Sequence, residues 1–253
     1  MRKSLLRSEK RGKSMASKRV VMIIVEGPTD DEALGLLFTR FFDQNQVYIQ
    51  IVHGDITSSR HVNAQNIQNK ITDFVKENAK KYAFKQSDIQ EVIQITDTDG
   101  AFIPDSQVVF DNGRKRPFYT TSQILCAHPD RMIQRNHQKS QNLRRLSALT
   151  KIWRQIPYHI FYMSSNLDHV LYNKLNSTNE EKEDNAFYFA KKYKERLEDF
   201  IIFMTESDFS VCGDYKASWA FIQEGNRSLE RHSNLGILLE RHHHQTNTAF
   251  NSN

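Results

Sequence analysis

A chain of 253 residues with 38% apolar side chains has enough material to bury one sizeable core. Its formal charge of +5 is localised: residues 1–18 carry seven Lys/Arg against Glu9, the rest is near neutral overall, and the segment Asn112–Pro157 holds ten Lys/Arg against Asp130 alone. With no apolar run of about 18 residues, no apolar leader core, and two cysteines (Cys126, Cys212) far apart and outside any CxxC pattern, the sequence points away from a helical membrane span, export, a disulfide framework or a zinc site, and towards a reducing cytoplasm.

In chain order, residues 1–18 are rich in Ser, Lys and Arg and read as a disordered basic arm. Arg19–Val25 is rich in β-branched residues without period-2 alternation, the pattern of a strand covered on both faces. Glu26-Gly27-Pro28 ends it. Thr29 is then the expected N-cap of a helix with Asp30, Asp31 and Glu32 in its first turn. Val47–His53 reads as a second strand, residues 61–82 as a helix, and Glu91–Thr96 as a third strand that stops at Asp97-Thr98-Asp99-Gly100. The order β-α-β-α-β predicts a central, mostly parallel sheet flanked by helices.

Residues of about 101–155 read as an insertion. Asp111-Asn112-Gly113 predicts a hairpin with Arg114, Lys115 and Arg116 at its tip, followed by a basic helix over 130–155. Tyr158–Ser164 is the fourth expected strand, and Asn166 opens a helix. A polar loop over 176–185 leads to a helix reaching Phe200, Ile201–Met204 is a short strand or the end of that helix, and a helix over 208–223 buries Trp219 and Phe221. Residues 19–240 thus form one α/β domain with a helical C-terminal part, and residues 241–253, including His242-His243-His244, form a polar disordered tail.

The chemistry sits at the strand ends. In an open α/β sheet the carboxyl ends of neighbouring strands meet in one crevice, which brings Glu26 to face Asp97 and Asp99. Converging carboxylates suit a hard divalent cation such as Mg²⁺ or Mn²⁺, which takes one or two protein carboxylates plus water and substrate phosphate. The plainer alternatives are a capped helix start for Glu26 and its neighbours and a metal-free Asp turn for Asp97 and Asp99. His53, at a strand end beside the crevice, reads as a packing or hydrogen-bonding histidine.

Glu26-Gly27 at one strand end and Asp97-Thr98-Asp99-Gly100 at another resemble the paired glutamate and DxD motifs of the TOPRIM family, over about residues 19–100. Ser165-Asn166-Leu167-Asp168 looks like the later Ser-Asn plus acid element of the RloB-like branch, with Leu167-Asp168-His169 where that branch has Pro-x-Phe-Glu. The resemblance implies a Rossmann-like TOPRIM fold and a metal-dependent nuclease cutting DNA or RNA. Asp97 and Asp99 would hold metal, Glu26 would act as general base or second-metal ligand, and Asp168 would add to the metal site. Residues 101–253 offer no room for a topoisomerase tyrosine domain, no zinc ribbon of a primase and no Walker GxxxxGK[ST], which leaves a standalone nuclease of the OLD or RloB type. Such a nuclease implies a defence context against phage or mobile elements and a separate ATPase or other protein partner. The basic residues Arg114, Lys115, Arg116, Arg131, Arg135, Lys139, Arg144, Arg145, Lys151 and Arg154 are expected to neutralise backbone phosphates, with Phe118, Tyr119 and Trp153 available to stack on bases. Two rivals remain at this stage: a non-catalytic nucleic-acid-binding scaffold, and a nucleotidyl or phosphoryl transferase using the same metal logic.

Overall fold

The computed structural model describes residues 19–42, 47–59 and 61–250, with side chains as far as His242. The arm at 1–18, the side chains of His243 and His244, and residues 251–253 lie outside the described residues. Four parallel strands, β1 (Arg19–Val25), β2 (Val47–His53), β3 (Ile89–Asp97) and β8 (Ile156–Met163), form a sheet in the order β2-β1-β3-β8, and β7 (Lys151–Ile152) adds an antiparallel edge. The chain is α/β, with a mixed central sheet.

Val20–Val25 are each at most 2% exposed, so the β-branched run is buried on both faces as its composition predicts. Val21, Ile23 and Val25 pack with α1 (Pro28–Phe41), α4 (Leu167–Tyr172), α5 (Asn179–Tyr193), α6 (Leu197–Glu206) and α8 (Leu235–Phe250). Val20, Met22 and Ile24 pack with α2 (Ile67–Lys81), α3 (Pro129–Ser147) and α7 (Tyr215–Phe221). Because α1 leaves β1 on one face and α2 leads to β3 on the other, the connections diverge between β1 and β3. That divergence opens the crevice in which ligands of such sheets bind.

Several expectations are corrected. The first helix caps at Gly27, not Thr29: Pro28 takes the N1 position that its fixed φ suits, and the Asp30 carboxylate accepts the Gly27 N–H at 3.0 Å. The helix expected from residue 61 starts at Ile67, because the Asn63 and Asn66 side chains bond neighbouring backbone amides and hold 63–66 in turns. The predicted hairpin does not join its two strands. β4 (Val108–Phe110) pairs in parallel with β6 (Ile124–Cys126), and the antiparallel partner of β6 is β5 (Phe118–Tyr119). The basic helix stops at Ser147. Residues Lys151–Ile156 turn back as a tight hairpin with Trp153 and Arg154 in the left-handed region, so the apolar residues at 152 and 153 belong to a strand end and a turn. Thr178 and Glu181 form a reciprocal capping box that starts α5 at Asn179 inside the expected polar loop. Residues 201–204 are helical, the helix expected over 208–223 is confined to Tyr215–Phe221, and Phe221 is half-buried whereas Trp219 is buried. No helix among the described residues is long and apolar enough to cross a membrane.

The tail expected to be disordered from residue 241 is helical through Phe250. Arg241 lies 2.5 Å from the buried Glu91 of β3, His159 donates or accepts at 2.8 Å from the same carboxylate, and His242 stands 3.5 Å away. Burial alone would raise the Glu91 carboxyl, but His159, His242 and Arg241 together hold it well below the ordinary 4.5. A lowered acid contributes stability that is present above its unfolded value and fades as pH falls below it. Glu91→Gln is therefore expected to cost about 2 kcal/mol at pH 7, discounted from the fully buried case because Arg241 and His159 are partly exposed, with the deficit shrinking below about pH 4.5. Urea unfolding at pH 7 and pH 4 measures it.

Candidate active site

Glu26, the first residue after β1, and Asp97, the last of β3, meet at the divergence between those strands. One Glu26 oxygen, Oε1, accepts the Thr96 hydroxyl at 2.7 Å and the Asp97 amide at 3.0 Å, which fixes the glutamate across the strand ends. Thr98 turns inward: its hydroxyl donates to the Ser228 carbonyl at 2.9 Å and accepts the Ser165 amide at 2.8 Å. Asp99 is thereby swung to the same side as Asp97, with a backbone φ of +50° and its amide donating to the Ser165 carbonyl at 2.8 Å.

Gly100 completes the turn at φ +66°, and a Cβ there would stand 2.5 Å from Leu229 Cδ2 and 3.1 Å from Ile124 Cδ1. Gly100→Ala meets both backbone strain and a clash, so we expect a loss of about 2 kcal/mol together with displacement of Asp99. Thermal unfolding checks the first, and the Asp99 pairing, followed by amide shifts, the second.

The feature that sequence reading missed is the buried cation facing these acids. Lys139 has a side chain 0% exposed, and its ammonium lies 2.5 Å from Asp99 Oδ2 and 3.7 Å from Glu26 Oε1; Glu26 and Asp99 are 18% and 29% exposed. One turn earlier, Arg135 stands 3.3 Å from Asp99 and donates to the Asp99 carbonyl at 3.2 Å and to the Tyr119 hydroxyl at 3.1 Å. Lys139 and Arg135, both expected to neutralise backbone phosphates, pair here with the carboxylates. A signal existed: Met132, Arg135, Lys139, Leu143 and Leu146 follow helical spacing, so Lys139 falls in the core-facing stripe and needs a buried partner.

The acids divide by their surroundings. Burial pushes Glu26 up to about 7, with Lys139 opposing and Asp99 and Asp55 adding to the rise. Burial and then Glu26, Asp30 and Asp99 push Asp97 well above the usual carboxylate range. Burial would raise Asp99 too, but Lys139 and Arg135 outweigh it and hold Asp99 below its ordinary 3.8. Asp30, expected only as a helix-start charge, belongs to this cluster: burial raises it, and it adds to the rise of Asp97. Asp168 is near enough to Asp30 to add to its rise. It is 5% exposed, lies 3.9 Å from Lys182, and has one carboxylate oxygen without a hydrogen-bond partner.

Asp97 and Asp99 open onto a cleft of about 790 Å³. One wall is the loop Gly113–Phe118 with Arg114, Lys115 and Arg116, and the other is the loop carrying Asn176 to Lys182. Phe118 and Tyr119 line the cleft too, Phe118 beneath the Arg114 guanidinium at 4.2 Å. The remaining expected contacts lie elsewhere. Arg144 bonds Gln223, Arg145 bonds Gln68, and Lys151, Trp153 and Arg154 precede β8 at the end of the sheet opposite the carboxylates, roughly 20 Å away along an eight-residue strand. His53 pairs with Asp31 at 2.9 Å, the hydrogen-bonding role expected of it.

Among the described residues no group of three or more His, Cys, Asp or Glu side chains stands in metal-holding geometry. Comparison with protein-family models, with curated proteins and with solved structures gives no match for this chain.

Proposed function

We propose that this protein is a Mg²⁺- or Mn²⁺-dependent phosphodiesterase of the TOPRIM type acting on DNA or RNA. The observation that carries the reading is the meeting of Glu26, Asp97 and Asp99 at the diverging ends of β1 and β3, where Asp97 and Asp99 line a cleft that Arg114, Lys115 and Arg116 also line. The donor set is all oxygen, as a hard cation requires, and magnesium needs only one or two protein carboxylates rather than a closed cage. Asp97 supports the fit most directly: burial and the crowding of Glu26, Asp30 and Asp99 push its carboxyl up and Lys139 offsets this only in part, so a cation there relieves the remaining repulsion.

Asp97 would hold the ion, with Glu26 and Asp99 beside it and Asp168 outside the immediate set. When bound, such an ion supplies Lewis-acid polarisation of a phosphoryl oxygen and charge neutralisation. Glu26, with its proton affinity raised towards neutrality, is suited to take the proton of an attacking water. Lys115 and Arg116 are exposed on the cleft wall and suited to the flanking phosphates. The scaffold reading is favoured by one observation, the satisfaction of Asp99 by Lys139 without any metal.

Labelled single- and double-stranded oligonucleotides incubated with Mn²⁺, Mg²⁺ or EDTA decide between them. Metal-dependent cleavage that falls in Glu26→Gln supports the hydrolase, while equal nucleic-acid binding with no cleavage under any metal supports the scaffold.

A further inference from the structure

The loop that walls the carboxylate cleft has a second cavity on its other side. This pocket, of about 270 Å³, lies between Arg114–Pro117 and the first turns of α3, and Arg114, Lys115, Arg116, Arg131 and Arg135 all line it without one carboxylate. Two of the five cations are already engaged and held in place: Arg135 by Asp99 and Tyr119, and Arg114 by Asp111 at 3.0 Å and by the Phe118 ring. Lys115, Arg116 and Arg131 are exposed and take part in no ion pair among the described residues. Three like charges without an ion pair, on residues that line one small cavity, repel one another, and an anion bound among them reduces the repulsion.

The chemistry of the anion follows from the lining. Guanidinium forks match phosphate oxygens in pairs, and two unpaired arginines plus a lysine suit the double charge of a phosphate monoester better than a single carboxylate. The volume falls just below the usual range of ligand pockets, and no Phe, Tyr or Trp lines it, so nothing there is built to stack a nucleobase. Because Arg114–Pro117 form a wall shared with the cleft, a strand held here by its end crosses that loop towards Asp97 and Asp99.

We propose that this pocket receives the terminal phosphate of a nucleic-acid strand and so measures the cut from a phosphorylated end. The identity of the strand rests on the phosphodiesterase reading, whereas phosphate recognition does not. The test is binding in EDTA, by fluorescence anisotropy, of one short single-stranded oligonucleotide carrying a 5′-phosphate, a 3′-phosphate or neither, with inorganic phosphate and a mononucleotide as competitors.

One terminal phosphate is expected to tighten binding about tenfold, the effect of one or two charge-assisted hydrogen bonds. Arg116→Ala/Arg131→Ala, both changes on exposed side chains, is expected to erase that ratio. Competition by inorganic phosphate that removes the ratio supports the pocket, and a mononucleotide that binds more tightly than the phosphorylated oligonucleotide identifies a free nucleotide as the ligand and overturns the strand-end assignment. A ratio near one in the wild type, or a ratio that survives in the double variant, overturns the proposal. Phosphate-dependent binding without cleavage in any metal removes the phosphodiesterase reading and leaves this pocket standing. Cleavage without phosphate dependence does the reverse.

Discussion

Replacing Lys139 by Met is expected to cost about 3 kcal/mol of folding stability at neutral pH, the low end of the cost of breaking a buried ion pair because Asp99 keeps some exposure. For a chain of this size that is roughly a 6–12 °C fall in melting temperature. Methionine keeps the volume, so the loss reports charge rather than a cavity. It leaves Asp99 and Glu26 facing each other without their ammonium. Asp99 is held below its ordinary 3.8 largely by Lys139, so this stabilisation is present above pH 3.8 and fades as pH falls, and the deficit of the variant shrinks in acid. Mn²⁺ is expected to stabilise the variant more than the wild type, because the missing charge is the one the ion replaces. Urea unfolding with and without Mn²⁺ measures both effects. A deficit unchanged by metal and by pH would mean that Lys139 acts by packing alone.

Asp97→Asn is expected to act in two opposite directions. In the metal-free protein the substitution removes a carboxylate pressed against Glu26, Asp30 and Asp99, and stability is expected to rise by about 1 kcal/mol. Cleavage is expected to fall at least about 100-fold, because the acid left most in need of a cation is gone. The stability gain has a pH signature. An acid whose folded value is raised binds its proton more tightly folded than unfolded, so stability declines as pH rises from the ordinary value to the raised one, for Glu26 from 4.5 to about 7. Asp97→Asn relieves part of that decline, and its advantage therefore grows across the same window. Chemical denaturation at pH 5 and pH 7.5 separates it from a simple packing change. A variant less stable than wild type at both would show that the Asp97 carboxylate was already compensated.

The parts of this site that were legible are those carried by local pattern. The bounds of β1 and β2 follow from runs of β-branched residues, and the meeting of Glu26 with Asp97 follows from the parallel order of β1 and β3. Lys139 was hidden because its basic neighbours made the helix read as a phosphate-facing surface, although its place among Met132, Leu143 and Leu146 required burial. The start of α5 was readable as well: Thr178 and Glu181 have capping-box spacing within a segment otherwise taken for a loop. The parallel pairing of β4 with β6 was not readable, since nothing in Val108–Phe110 encodes a partner sixteen residues away across an intervening strand. The same holds for Arg241 and Glu91, whose contact spans 150 positions.

The central claim is that Glu26, Asp97 and Asp99 form a divalent-cation site. Calorimetric titration of Mn²⁺ at pH 7, in two buffers of different ionisation enthalpy, tests it on wild type and Asp97→Asn. Saturable binding in the wild type with release of protons from the raised acids, and its loss in a folded Asp97→Asn, is the expected result. Absence of binding in a folded wild type, or identical binding in both proteins, would contradict the claim and return the carboxylates, with Lys139, to a purely structural role.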